Sequence, residues 1–217
     1  MAVNKKTYHE INEELRLSDI TLVAVSKTKP IEDILELYEQ GHRDFGENYV
    51  QELVEKAGKL PNDIRWHFIG HLQTNKVKFI TPFVYLIHGV DSLRVLKEIN
   101  KQAERSKRVI ECLLQVHIAQ EETKFGFDEV ELLGLELKQF TNVKIKGLMG
   151  MASLTDDTNK IRIEFRFLKT LFEKLKTQYP ELSILSTGMS ADYKIAIEEG
   201  SNMVRVGSLI FGERSDQ

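Results

Sequence analysis

The chain has 217 residues, of which 41% are hydrophobic, so it can bury a substantial core as a single domain over residues 1–217. Its net charge of -3 gives no support for a nucleic-acid partner or an anionic membrane surface. The single cysteine, Cys112, lies in an apolar run and fits a reducing compartment. No apolar stretch approaches the ~18 residues of a membrane span, and residues 1–20 lack an apolar signal core. The composition therefore predicts a cytoplasmic protein that binds neither nucleic acid nor membranes.

Short apolar runs recur along the whole chain and predict β-strands. The predicted strands are residues 20–26, 44–46, 64–69, 85–90, 109–118, 145–149, 182–186 and 203–206. Apolar residues at helical spacing predict helices over residues 31–40, 49–57, 92–105 and 159–178, with an extra N-terminal helix over 3–16. The N-terminal helix is expected to cover the bottom of the fold or to pack on its side.

Three polar residues are predicted to cap helices at their N-termini. Asn48 is placed to cap the helix over 49–57, and Asp128 with Glu131 forms a capping-box pattern. Ser190 is placed to cap a short helix that Gly200 would end.

The alternation of strands and helices predicts parallel strands joined by βαβ units. Eight such units in 217 residues fit a compact α/β fold, a (β/α)8 (TIM) barrel. A doubly wound open sheet is the alternative. The first strand is not followed by a G-x-G-x-x-G motif, which argues against a dinucleotide-binding version of that sheet.

Lys27 stands at the end of the first predicted strand, and Pro30 follows before the next helix. Parallel α/β folds place their chemistry at the C-terminal ends of the strands. A desolvated lysine there can lose its proton and attack a carbonyl group. The alternative is that the Lys27 stem packs on apolar residues while its ammonium group reaches solvent.

The segments after the last two predicted strands contain the parts of an anion-binding cradle. Ser190 follows the seventh strand, while Gly207 and Ser208 follow the eighth, and each segment leads into a helix. In (β/α)8 barrels these two loops commonly form a phosphate site. Arg205 precedes that cradle on the last strand and, by strand alternation, faces the same way as Gly207. It either pairs with a carboxylate such as Glu47, or donates to a ring nitrogen or an anion of a ligand.

Two histidines, His67 and His71, flank the end of the third predicted strand. No carboxylate or cysteine completes a metal-ligand set near them, so we predict that they line the pocket or pack at the barrel mouth rather than bind metal. Asn48 and Met149 are also predicted to line the pocket. The turn over residues 121–126 is predicted to be a solvated loop or a lid.

These residues together resemble the YggS/PROSC family of pyridoxal 5'-phosphate (PLP) binding proteins, also called PLP homeostasis proteins. The stretches that carry the resemblance are AVSKTKP (24–30), FGENYVQE (45–52), WHFIGHLQTNK (66–76), GLMGM (147–151), STGMSADY (186–193), VRVGS (204–208) and IFG (210–212). They occur in order over nearly the whole chain. The resemblance implies the barrel of the alanine-racemase N-terminal domain (PLP fold type III) without the second domain of that enzyme.

The resemblance also implies roles for individual residues. Lys27 would carry PLP as a Schiff base, and Arg205 would face the pyridine nitrogen. The phosphate would be held by Ser190, Gly207 and Ser208. The full set predicted to bind the cofactor is Lys27, Asn48, His67, Met149, Ser186, Met189, Ser190, Arg205, Gly207 and Ser208.

The function that this resemblance implies is PLP homeostasis with little or no catalytic turnover. An arginine at the ring nitrogen keeps that nitrogen unprotonated, which makes the ring a poorer electron sink. The sequence stops at Gln217, before any second domain that would supply an opposing base, and of the tyrosines only Tyr49 and Tyr193 fall near strand ends. We therefore expect a monomeric PLP carrier that is not an enzyme, with PLP-dependent apoenzymes as transient acceptors. The alternatives are a PLP-dependent amino-acid racemase and a PLP-free barrel enzyme acting on a phosphorylated metabolite.

Overall fold

A computed structural model describes residues 3–119 and 125–213 of the chain. Eight strands form a closed parallel barrel in which each strand pairs with its sequence neighbours and β8 pairs with β1. The strands are β1 Thr21–Val25, β2 Asp44–Glu47, β3 Arg65–Phe68, β4 Leu86–Val90, β5 Ile110–Gln115, β6 Val143–Met149, β7 Ile184–Ser186 and β8 Met203–Val206. The (β/α)8 prediction is confirmed, and the open-sheet alternative is wrong because β8 closes on β1.

Helices and short helical turns connect the strands around the outside of this barrel. The helices are α1 Lys5–Leu17, α2 Ile31–Glu39, α3 Val50–Ala57, α4 Val77–Ile80, α5 Leu93–Arg105, α6 Glu129–Leu133, α7 Thr158–Gln178, α8 Tyr193–Glu198 and α9 Ser208–Phe211. Two short 3-10 turns cover Thr74–Lys76 and Leu137–Gln139. The turn at Thr74–Lys76 and α4 were not anticipated from the sequence, because their few apolar positions are too short a run to show helical periodicity. None of the helices in the described ranges is long and apolar enough to cross a membrane.

Strand β1 shows how period-2 alternation builds two separate cores. Leu22 and Ala24 face outward into the large core shared with the helices. Val23 faces inward. The inward residues form a smaller apolar cluster inside the barrel, consisting of Val23, Leu86, Leu113, Met149 and Met203. All of these side chains are buried, so the lower part of the barrel is packed and not a pore.

The N-terminal helix α1 packs on the side of the barrel, one of the two positions expected for it. The backbone N–H of Asn4 donates to the carbonyl oxygen of Ile210 in α9 at 2.8 Å. Lys5 pairs with Glu36 of α2 at 2.8 Å. Tyr8 is buried and packs edge-on against His42. These contacts join the first helix to α2 and to α9, the last helix of the described residues.

Two of the three predicted helix caps are wrong, and one is confirmed. The residue at the N-cap of α3 is Tyr49 and not Asn48, and no side-chain hydrogen bond caps that helix. Helix α8 begins after Asp192, so Ser190 lies outside it. The capping box of Asp128 with Glu131 is present at α6. Most of the predicted loop over 121–126 lies outside the described residues, which include Phe125 and Gly126 only.

Candidate functional site

A cavity of about 540 Å³ opens at the C-terminal ends of the barrel strands. This is the end of a (β/α)8 barrel at which ligand sites occur. Its lining consists of Val25, Lys27, Thr28, Lys29, Asn48, Ile69, Gly70, His71, Gln115, Phe125, Met151, Met189, Ser190, Ala191, Arg205, Gly207, Ser208 and Gly212. Seven of the ten predicted cofactor-binding residues lie in this lining: Lys27, Asn48, Met189, Ser190, Arg205, Gly207 and Ser208. The lining includes the cationic side chains of Lys27, Lys29 and Arg205, and none of the described residues that line the cavity is an Asp or a Glu, so the lining favours an anionic ligand.

Lys27 enters the cavity from a tight turn that directly follows β1. Ser26 is fully buried at the strand end. Thr28 adopts a left-handed backbone with φ of 62°, which is uncommon for a residue with a branched side chain. The backbone N–H of Lys29 donates back to the carbonyl oxygen of Ser26 at 3.0 Å and closes the turn. The turn fixes the backbone from which the Lys27 side chain projects.

A buried lysine from α3, Lys56, holds this turn in place. Its Nζ donates to the carbonyl oxygen of Ser26 at 2.7 Å, to Glu47 Oε1 at 2.8 Å and to Glu52 Oε1 at 2.7 Å. Glu52 also accepts from the backbone N–H of Thr28 at 2.6 Å, and the Ser26 hydroxyl donates to Glu47 at 2.6 Å. We call Lys56, Glu47 and Glu52 the Lys56 clamp. Because it binds the residues on both sides of Lys27, the clamp fixes the backbone from which the Lys27 side chain projects.

Glu47 is the unusual member of the clamp, because it is fully buried and only half satisfied. Its Oε1 accepts two hydrogen bonds, but its Oε2 has no hydrogen-bond partner within residues 3–119 and 125–213. Burial raises the pKa of Glu47 to about 7, although the charge and hydrogen bond of Lys56 act in the opposite direction. The carboxyl group is therefore divided between its protonated and ionised forms near neutral pH.

The loops after β7 and β8 meet through the hydroxyl group of Ser190. Its Oγ accepts a hydrogen bond from the backbone N–H of Gly207 at 3.2 Å, so the serine joins two loops instead of capping α8. A Cβ atom at Gly207 would lie 3.2 Å from both Cβ and the carbonyl oxygen of Val25. Together with Ser208 these residues form a concave surface of small side chains and backbone groups, as phosphate sites require.

Arg205 forms part of the cavity floor and is 3% exposed. Its Nη1 donates to the carbonyl oxygen of Ser186 at 2.9 Å and to the Ser186 hydroxyl at 2.7 Å. Its Nη2 donates to the carbonyl oxygen of Gly150 at 3.1 Å. Burial lowers the pKa of Arg205 to about 10, which still leaves the guanidinium group charged at neutral pH. The suggested pairing with Glu47 is wrong, because that carboxyl group is bound by Lys56.

Three of the predicted cofactor-binding residues lie beneath the cavity and not in its lining. Met149 is fully buried in the apolar cluster inside the barrel. Ser186 is fully buried and accepts from Arg205. His67 is fully buried and hydrogen-bonded to His88 and Asp44. Neither His67 nor Met149 is part of the lining, because both side chains are buried inside the barrel, and their contact with a cofactor stays a prediction.

The structure adds residues to the lining that the sequence did not single out. Phe125 lies over His71 with ring centroids 4.1 Å apart and nearly parallel planes. Gln115, at the end of β5, donates to the carbonyl oxygen of Phe125 at 2.8 Å, and His71 is also hydrogen-bonded to Asp91 at 2.6 Å. The position of Gln115 at the end of a strand was the one sequence feature that could have predicted its place in the lining. Phe125 belongs to the segment over residues 121–126 that was predicted to be a solvated loop or a lid, but the sequence did not indicate that this particular side chain lines the cavity.

Among the described residues, no group of three potential metal ligands comes together. His71 and the buried His67 are engaged with different carboxylates, Asp91 and Asp44. His71 lies in the cavity lining, as predicted, and His67 lies inside the barrel.

The barrel and its cavity define the class of protein, and comparison with known proteins gives the family. The family described as "Alanine racemase, N-terminal domain" matches residues 5–215. The chain is thus a (β/α)8 barrel of the alanine-racemase N-terminal-domain class. The pyridoxal phosphate homeostasis protein of Vibrio alginolyticus is 41% identical over 202 residues, which cover 90% of this chain and 87% of that protein. The chain belongs to the family of pyridoxal phosphate homeostasis proteins.

Solved structures agree with this assignment. PipY of Synechococcus elongatus PCC7942 with PLP bound is 35% identical, with a TM-score of 0.84 over 94% of this chain and 99% of PipY. Its structure without PLP gives a TM-score of 0.89 at 34% identity, over 95% of this chain and 99% of PipY. The alanine racemase of Bartonella henselae has a TM-score of 0.70 at 16% identity, covering 94% of this chain and 56% of the racemase. The racemase therefore shares the fold, while the close relatives are homeostasis proteins and not named as enzymes.

Proposed function

We propose that this protein binds PLP in the cavity at the C-terminal ends of the strands and serves PLP homeostasis with little or no catalytic turnover. The observation that carries the proposal is the lining itself. It brings a strand-end lysine, Lys27, and a buried arginine, Arg205, together with the small-residue cradle, in a surface without a carboxylate among the described residues. The family supports the same ligand, because PipY has been solved with PLP bound.

The residues present fit the chemical groups of PLP. Lys27 offers the amine that would hold the aldehyde as a Schiff base, as the family resemblance implies. Ser190, Gly207 and Ser208 form the surface on which the phosphate would lie, since no side chain larger than a hydroxymethyl group fills it. Arg205 offers a donor at the cavity floor to the pyridine nitrogen. PLP, when bound, supplies an electron-withdrawing ring and an aldehyde that captures amines.

The same residues support a carrier in preference to a racemase. The guanidinium group of Arg205 donates hydrogen bonds but keeps its protons at neutral pH. It would therefore leave the ring nitrogen unprotonated. Racemisation needs an acid or base on each face of the substrate carbon. Within the described lining no tyrosine is present: Tyr49 is 53% exposed and Tyr193 is buried, and both lie outside the cavity.

The remaining parts of the proposal concern the setting of the protein. It acts in the cytoplasm, as a monomer that limits free PLP and passes it to PLP-dependent apoenzymes. The net charge of -3 and the absence of a membrane-crossing helix in the described ranges are compatible with this setting.

The direct test is to locate the PLP adduct. The protein is incubated with PLP, reduced with borohydride and digested, and the modified lysine is identified by mass spectrometry. Lys27 should carry the adduct and Lys27→Ala should abolish it. Lys29, which also lines the cavity and donates to the carbonyl oxygen of Glu213, provides the matched control Lys29→Ala. An adduct on Lys29, or no adduct in the unmodified protein, would contradict the proposal.

The phosphate cradle and the lack of turnover are tested separately. Gly207→Val should remove measurable PLP binding, because its side chain would fill the space against Val25, and normal binding would show that the cradle is misplaced. Incubation with L-alanine in deuterated water, followed by chiral analysis, tests the racemase alternative. Formation of the D-isomer at the ordinary enzyme rate of ~1–10³ per second would establish an enzyme.

A further inference from the structure

A continuous row of hydrogen-bonded polar side chains crosses the inside of the barrel and ends at Arg205. The Nη1 of Arg205 donates to Ser186 Oγ at 2.7 Å, and Ser186 Oγ lies 3.1 Å from His88 Nδ1. His88 Nε2 lies 2.9 Å from His67 Nδ1, and His67 Nε2 lies 3.0 Å from Asp44 Oδ1. We call Asp44, His67, His88 and Ser186 the interior relay. It links β8 to β7, β4, β3 and β2, and thus connects the cavity floor to the opposite end of the barrel.

The relay lies in a part of the barrel where polar groups are costly. His67, His88 and Ser186 are fully buried, next to the apolar cluster inside the barrel. A buried polar atom without a partner destabilises a protein by about 1–3 kcal/mol, so each group here must be matched to a donor or an acceptor. This requirement restricts where the protons of the relay reside.

The arginine end fixes the first proton positions. A guanidinium group can only donate, so Ser186 Oγ accepts from Arg205. The Ser186 hydroxyl proton is then directed to the other contact of that oxygen, His88 Nδ1. Nδ1 of His88 is consequently unprotonated, and burial, together with the charge of Arg205, lowers the pKa of His88 well below its ordinary value. His88 is therefore neutral and carries its proton on Nε2.

The carboxylate end is compatible with the same arrangement. Arg65 binds Asp44 through two nitrogen atoms, with Nε at 2.7 Å. Burial alone would raise the pKa of Asp44, but the hydrogen bonds from Arg65 and His67 outweigh it and hold that pKa below its ordinary value. Asp44 is thus a carboxylate and accepts from His67 Nε2–H. His67 Nδ1 is then free to accept from His88 Nε2–H.

We propose that the interior relay positions Arg205 for the ligand, with Asp44, His67, His88 and Ser186 as positioning residues. All four hydrogen bonds run in one direction, from the guanidinium group to the carboxylate. In the reverse direction His88 would also donate to Ser186 Oγ, and the buried serine proton would have no acceptor among the described contacts of that oxygen. The direction toward the carboxylate therefore gives every proton of the relay an acceptor.

As a consequence, one edge of the Arg205 guanidinium group is hydrogen-bonded to the barrel, and the other edge can donate to a ligand. Nη1 of Arg205 is fully engaged with Ser186, and Nη2 makes one contact with Gly150. Its Nε–H and one Nη2–H have no acceptor among the described residues, and the guanidinium group contributes to the cavity floor. The inference rests on the proposed function, since the acceptor that these groups would meet is the PLP ring nitrogen.

The first test needs no ligand. Nuclear magnetic resonance of protein labelled with ¹⁵N in its histidine rings reports which ring nitrogen carries the proton. At pH 7 His88 should carry its ring proton on Nε2 and none on Nδ1, and Nε2 of His67 should be protonated. A proton on Nδ1 of His88, or a doubly protonated His88, would overturn the proposed direction of the relay even if the protein proves not to bind PLP.

The second test asks whether the relay acts through the ring nitrogen. The dissociation constants of PLP and of 1-deaza-PLP, which has a C–H group in place of that nitrogen, are compared. His67→Leu should weaken PLP binding about ten-fold, the change expected for one hydrogen bond, and 1-deaza-PLP binding by less than about two-fold. His42→Phe is the matched control, because His42 is buried and bound to the Asp44 carbonyl oxygen at 2.8 Å but lies outside the relay. It should leave both constants unchanged.

The outcomes separate the possible failures. Equal weakening of both ligands by His67→Leu would show that the residue is merely structural and would overturn the proposal. If that variant does not fold, Asp44→Asn removes the terminal charge while keeping the side-chain shape. It should lose the uniform His67 and His88 tautomers and weaken PLP more than 1-deaza-PLP, and unchanged tautomers and affinities would refute the relay. Failure of the unmodified protein to bind PLP would instead refute the proposed function.

Discussion

Replacing Glu47 with glutamine should remove a pH-dependent component from the free energy of unfolding. The substitution keeps the shape of the side chain and an acceptor for Ser26 and Lys56. It removes the one carboxyl group of the Lys56 clamp that is fully buried and has an oxygen without a partner. The effect follows from the difference in proton affinity of Glu47 between the folded and unfolded chains.

The size of the effect comes from the two pKa values. Burial raises the pKa of Glu47 from 4.5 to about 7 in the folded protein. Each pKa unit corresponds to 1.36 kcal/mol, so the difference amounts to about 3 kcal/mol across this interval. Between pH 4.5 and about 7 the folded protein holds a proton on Glu47 that the unfolded chain has lost. Stability from this group is therefore complete below pH 4.5 and decreases as the pH rises through 7.

Urea unfolding of both proteins at pH 5, 6, 7 and 8 measures this contribution, with the fluorescence of the single tryptophan, Trp66, as the signal. The stability of Glu47→Gln relative to the unmodified protein should increase by about 2.5 kcal/mol from pH 5 to pH 8, because the unfolded chain is still partly protonated at pH 5. Other titrating groups are common to both proteins and cancel in the difference. Any cost of the buried amide is independent of pH.

The control for this experiment is Glu52→Gln, which removes the other carboxylate bound by Lys56. That variant retains Glu47, so its stability should still decrease as the pH rises, but loss of the Glu52 charge lowers the pKa of Glu47 and shifts the decrease to lower pH. Parallel curves for Glu47→Gln and the unmodified protein would refute the reasoning, because they would show that Glu47 has the same proton affinity in the folded and unfolded chains.

Two further predictions concern packing around the barrel strands. Gly147→Ala would place a Cβ atom 1.7 Å from the carbonyl oxygen of Ile184, so it should destabilise the fold by about 3 kcal/mol or more in urea unfolding. Gly58→Ala, whose Cβ would have only ordinary contacts beyond 3.4 Å, should be tolerated, and equal stabilities of the two variants would contradict the barrel register. Cys112 is fully buried and burial raises the pKa of its thiol, so an aromatic disulfide reagent should react with it only after unfolding. Rapid reaction with the native protein would show that β5 is more accessible than the structure indicates.

The sequence by itself determined the fold and the location of the site. Eight apolar runs with intervening helical patterns predict a parallel barrel, and the structure closes that barrel from β1 to β8. Parallel strands in a barrel all end at the same rim, so residues that directly follow a strand are brought together. This rule was enough to place Lys27, Ser190, Gly207 and Ser208 around one cavity.

Local signals predicted details only where the interaction itself is local. The capping box at Asp128 joins residues three positions apart, and it was predicted correctly. Asn48 and Ser190 are equally good capping residues in sequence, but their surroundings direct them to the cavity lining. The Ser190 hydroxyl accepts from Gly207, which lies 17 positions away in the chain.

The pairing of buried charges and the depth of each side chain were decided by the tertiary structure alone. Glu47 and Arg205 were a reasonable ion pair in sequence, yet the structure binds one to Lys56 and the other to Ser186. His67 was placed at the barrel mouth, but strand register puts it one layer lower, against His88. Hydrophobic periodicity tells which face of a strand a residue occupies. It does not tell which residue of another strand lies opposite, because that depends on the stagger of the closed barrel.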